Sequence, residues 1–107
     1  MKRRIIKKPQ AEQDLLEHFI YIGRDNERAA TLFLNEAEAA FAKIADMPGT
    51  GPAWESDDPR LENIRHKAVS RRFRNYLIFY RVGDDVVEIL TVIHGARDLP
   101  NLLPDLT

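Results

Sequence analysis

Residues 72–99 read RFRNYLIFYRVGDDVVEILTVIHGARDL, two β-rich runs joined by Gly83-Asp84-Asp85 and closed by His-Gly-Ala-Arg-Asp. β-Branched and aromatic residues on both sides of a glycine–aspartate turn predict a β-hairpin, with glycine available there for positive φ. A lone hairpin is marginal in water and needs further strands or a helical layer to cover its apolar side. The rest of the chain has to supply that cover.

Residues 3–8 hold Ile5 and Ile6 between basic residues and stop before Pro9, which suits a brief first strand. Pro9 then stands where a first helical turn begins and its missing N–H costs nothing. From Gln10 to Ile22, Leu15, Phe19 and Ile22 recur at helical spacing, and Leu16 and Ile20 widen the same apolar stripe. Gly23 marks a stop and Asp25 or Asn26 the next N-cap. A second helix runs to about Met47, ahead of Pro48 and Gly49, with Ala30, Phe33, Leu34, Ala37, Phe41 and Ile44 on one face. Joined by so short a link, the two fold back as an antiparallel pair. Residues 48–62 are rich in glycine, proline and acid and read as a loop, in which Trp54 serves as a lid over the core edge rather than as a ligand-stacking residue. Strand character returns over residues 64–69, 75–82 and 86–93, and residues 99–103 suit one more helical turn. Tyr76 and Tyr80, with Ile78 between them, project to one face and are read as core packing with hydroxyls at its rim.

At 107 residues the chain is expected to be one small domain over residues 1–107, with room for one core. It contains no cysteine, so disulfides and thiolate metal sites are excluded, and a cytoplasmic setting is the simpler expectation. No run approaches the roughly 20 apolar residues of a membrane span, so no membrane association is expected. His18, His66 and His94 lie in different elements without a second ligand at zinc-like spacing, and no phosphate-binding or nucleophile-elbow motif occurs. No cofactor is expected.

Formal charge is −1, but its distribution is uneven. Between Glu12 and Asp46 acids outnumber bases eight to three, whereas residues 64–76 hold Arg65, Lys67, Arg71, Arg72 and Arg74 and no acid. Such a patch meets an acidic partner or a phosphate backbone, or else guards a strand edge against aggregation. A dedicated nucleic-acid binder is usually basic overall, so specific DNA binding by this chain alone is not expected.

Taken together, NYLIFYRV, the Gly-Asp-Asp turn, IHGARD and the preceding helical pair resemble the ParE branch of the ParE/RelE toxin superfamily over nearly the whole chain. The resemblance implies an α+β fold of order β-α-α-β-β-β, a helical hairpin packed on a small, twisted, mainly antiparallel sheet. It implies the toxin of a type II toxin–antitoxin pair, bound by a ParD-like antitoxin and inhibiting DNA gyrase through protein–protein contact. RelE-like relatives instead cut messenger RNA, and a non-toxic descendant that binds only its antitoxin is a third possibility. Arg65 and Lys67 match the paired bases of the ribonucleases, and Arg97 matches the arginine after the last-strand glycine. Leu77 and Leu103 stand where those enzymes carry an arginine and a tyrosine, and Thr91 stands where ParE-like chains often carry an arginine. The resemblance therefore implies no catalytic residue for the gyrase-directed reading; the ribonuclease alternative would use His94 and Arg97. Arg65, Lys67, Arg72, Arg74, Arg81, His94 and Arg97 are the candidate partner contacts. A structural role competes for the ending: Gly95 turns the chain out of the strand, Arg97 pairs with Asp98 or a helical acid, and His94 caps the sheet.

Overall fold

The computed structural model describes residues 2–54, 59 and 62–95. Its elements are β1 (Arg4–Lys7), α1 (Pro9–Gly23), α2 (Glu27–Asp46), a 3-10 turn (Pro48–Thr50), β2 (Ile64–Ala68), β3 (Tyr76–Val82) and β4 (Val86–His94). The strands form one sheet in the order β1-β4-β3-β2, in which β1 runs parallel to β4 and the other pairs are antiparallel. This is the expected α+β arrangement. Two helices on one face complete it.

Local chemistry sets the helix ends. Pro9 opens α1, and Arg24 closes it with its N–H on the Ile20 carbonyl at 3.1 Å. Of the two possible caps for α2 the fold uses Asn26, whose Oδ1 accepts the Ala29 N–H at 3.0 Å. The α2 stripe of Phe33, Ala37, Phe41 and Ile44 is wholly buried. It meets Tyr76, Ile78 and Tyr80 of β3 and Val87, Ile89 and Val92 of β4 in the main core. Burying each such large side chain contributes about 1.5–3 kcal/mol before entropy is counted. On the opposite face Ile64, Phe79, Leu90 and Ile93 form a smaller cluster, over which Trp54 lies edge-on to Phe79 at 5.5 Å between ring centroids.

Two local expectations need correction. Leu16 and Ile20 do not widen the buried stripe of α1; they are exposed, because the face turned to the sheet and α2 is built from Ala11, Asp14 and Leu15. The helical period identifies apolar residues but leaves undecided which of two neighbouring apolar arcs faces inward. Gly83 does not supply positive φ to the hairpin turn either. Among the described residues positive φ occurs at Gly95 (63°), where the chain leaves β4, and at Asn63 (65°), just before β2.

A bulge fixes α1 on the sheet. The β3–β4 register shifts between Phe79 and Tyr80, which pair with Thr91 and Ile89 and leave Leu90 as the extra residue. Beside it the buried Asp14 carboxylate accepts the Thr91 hydroxyl, the Val92 N–H at 3.1 Å and the Gln10 side-chain amide at 2.8 Å. Its oxygens are satisfied without a cation.

Candidate functional site

The predicted contact residues separate once the chain folds. The Arg65 guanidinium donates to the Gly51 carbonyl at 2.7 Å and lines a cleft beside Pro48 and Ala53. Lys67 and Arg74 line a second concavity, between α2 and the β2–β3 connection. Arg72 is exposed and reaches Glu36 of α2 at 3.6 Å. Arg81 is held within the sheet, opposite Ile64 on one side and Glu88 on the other. His94 lines a third concavity, its ring 4.7 Å from that of Tyr76. Arg97 and the possible helical turn at 99–103 lie outside the described residues.

The second concavity, about 590 Å³, gathers most of the charge. Its floor is Ala39, Ala40, Ala68 and Val69, and its rim carries Lys43 and Arg71 in addition to Lys67 and Arg74. Lys43 was not singled out in sequence because it sits in the acid-dominated stretch; Arg71 was visible only as a member of a basic run. The one acid lining this groove among the described residues, Glu36, is shared with Arg72. Burial, and then the positive charge of Lys43, lower the Lys67 ammonium below its ordinary pKa. An apolar floor with a cationic rim is suited to a peptide with one apolar and one acidic side.

The third concavity, about 440 Å³, opens where α1 meets the ends of β3 and β4. His18 Nε2 lies 2.7 Å from the Val92 carbonyl oxygen. A carbonyl only accepts, so the hydrogen is on Nε2. The His18 and His94 rings flank Tyr76, the first at 4.9 Å between centroids. Two imidazoles and a phenol in one hollow could relay a proton, but Arg65 and the groove cations do not line it.

Around the first cleft, Tyr80 is buried down to its hydroxyl, which donates to the Pro48 carbonyl at 2.7 Å and accepts the Gly51 N–H at 3.2 Å. Burial raises its pKa, against the opposing effects of the Gly51 N–H and Arg65. Gly51 has no room for a side chain, since a Cβ there would come within 3.0 Å of both the His66 carbonyl oxygen and the Tyr80 hydroxyl. His66, edge-on to Trp54 at 5.9 Å, has its pKa lowered by burial. Among the described residues no group of three histidine, aspartate or glutamate side chains could hold a metal ion, and no helix is long and apolar enough to cross a membrane.

Comparison with known proteins adds a family match. The family model described as "ParE toxin of type II toxin-antitoxin system, parDE" matches residues 5–99. A solved structure described as "Chromosomal ParDE TA system from P. aeruginosa" is similar in fold, with a TM-score of 0.70 at 14% identity, covering 88% of this chain and 97% of that one. No curated protein sequence matches significantly.

Proposed function

The chain belongs to the ParE toxin family, and from that premise we propose that it acts in the cytoplasm as an inhibitor of DNA gyrase, silenced by a ParD-like antitoxin. The groove between α2 and the β2–β3 connection carries this reading. An amphipathic antitoxin segment would lay apolar side chains on Ala39, Ala40, Ala68 and Val69 and set carboxylates among Lys43, Lys67, Arg71 and Arg74. Lys67 is partly buried and lies near the like charge of Lys43, so an incoming carboxylate would gain more there than at an exposed lysine. The proposed footprint does not include Arg65, whose guanidinium donates to Gly51 in a different cleft.

Gyrase enters this proposal as the target that the resemblance to ParE toxins implies. The separation of Lys67 from His94 argues against a nuclease in which the β2 bases and His94 would meet one scissile phosphate together. In the register Lys67 lies opposite Ile78 and Val92, two strands from β4 and two residues short of His94. The test is a gyrase cleavage assay run beside an RNA cleavage assay on one preparation. Accumulated cleaved DNA with intact RNA is expected. Intact DNA with fragmented RNA, abolished by His94→Ala, would overturn the proposal, and neither effect would point to a descendant that binds only its antitoxin.

A further inference from the structure

The outer face of α1 is apolar where nothing in this chain covers it. Leu16, Ile20 and Tyr21 are 58%, 49% and 65% exposed, and they are three of the five large exposed hydrophobics among the described residues. They adjoin one another within about a turn of helix. Scattered exposed hydrophobics need no explanation, whereas a contiguous set marks a contact surface.

The charges flanking this face indicate what covers it. Glu17 and Arg24 both line the hollow beside α1, two helical turns apart, and neither has an ion-pair partner among the described residues. Glu17 accepts only a hydrogen bond from Gln13, at 3.1 Å. The midpoint between these opposite charges falls between Ile20 and Tyr21, at the carboxy-terminal end of the apolar patch. If a second α1 crosses antiparallel about a twofold axis there, each Glu17 meets the other copy's Arg24, and each Ile20 meets the other copy's Tyr21. An isologous interface demands this self-complementary pattern, and a second copy supplies it by symmetry. The adjoining hollow, walled by the rings of His18, Tyr76 and His94, offers the incoming Tyr21 an aromatic seat.

We propose that the toxin self-associates through α1, with a second copy of this chain covering Ile20 and Tyr21. The groove beside α2 stays open in this dimer, so the inference does not rest on the antitoxin reading. The test is sedimentation equilibrium of the purified full chain, its Glu17→Arg and Arg24→Glu variants, the double reversal and an equimolar mixture of the two single variants. The wild type should be dimeric, each single reversal should weaken association at least about tenfold, and the double reversal should restore it. The mixture should form a heterodimer, because its charges are again complementary. All substitutions are on exposed side chains, so unchanged circular dichroism is expected; Ile20→Ser, which should also dissociate the dimer, tests the same face without altering charge. A monomeric wild type, single reversals that stay dimeric, or a double reversal that stays dissociated would overturn the proposal, the last in favour of an unrelated partner on this face.

Discussion

Helices α1 and α2 are neighbours in one hairpin, yet they divide their apolar residues differently. In α2 Phe33, Phe41 and Ile44 go into the core, Leu32 and Leu34 are half-buried, and the exposed positions are left to small, polar and charged groups. In α1 the core receives Ala11, Leu15 and the buried Asp14, while Leu16, Ile20 and Tyr21 face out. The hydrophobic effect is indifferent to which partner removes apolar surface from water, so a helix can be built for two burials, one on folding and one on association. Helix α2 is built for the first, and α1 for both.

The sharpest way to break this contrast is to shorten one large apolar side chain on each helix. Phe33→Ala should cost about 3–5 kcal/mol, read from denaturant midpoints. Ile20→Ser, measured on dissociated chain, should stay within about 0.5 kcal/mol of the parent. Equal costs would mean that the two helices are not divided as described. Next in size, the Lys67→Glu/Arg74→Glu pair should weaken antitoxin binding about 10–100-fold in titration calorimetry while leaving self-association unchanged. Loss of both together would merge the two surfaces into one.

Smaller effects probe the cleft beside Arg65, which neither helix lines. Tyr80→Phe should destabilise by about 1–2 kcal/mol, because the Pro48 carbonyl and Gly51 N–H lose their partner. Faster amide exchange at Gly51 would localise that loss. The smallest effect is the pH response of His66. Its folded pKa lies below the unfolded value of 6.5, so its contribution is present above that value and is lost as pH falls through the folded one. A flatter melting-temperature profile below pH 6.5 is expected in His66→Phe. Tyr80 acts at the other end: its pKa is raised, so its contribution holds below about pH 10 and is lost as pH rises through the folded value.

The element order was legible because each element carries a short-range signal: Pro9 opening α1, Asn26 before α2, and alternation through β3 and β4. What was hidden is long-range. No local rule pairs β1 with β4, or turns Leu16 outward when Leu15 beside it goes in. The charge-rich run of residues 64–76 pointed to the right region, but not to its partition. Arg65 and Lys67 share a face of β2, yet one is captured by Gly51 and the other shares its groove with Lys43, 24 positions earlier in the chain. A carbonyl exposed by a turn and a lysine on a distant helix leave no mark in the sequence around those two residues.

The parallel pairing of β1 with β4 gives this toxin a built-in delay during its own synthesis. Arg4 and Ile5 leave the ribosome early, but their register partners Val86 and Val87 are translated some eighty residues later. Until that last strand emerges, β1 has no sheet to join, and the Asp14 carboxylate lacks the Thr91 and Val92 donors that hold α1 down. Closing so long a loop is also slow compared with forming the helical hairpin. A nascent chain halted before β4 would therefore carry its helical hairpin without the strand that β1 and β3 pair with and that Asp14 grips.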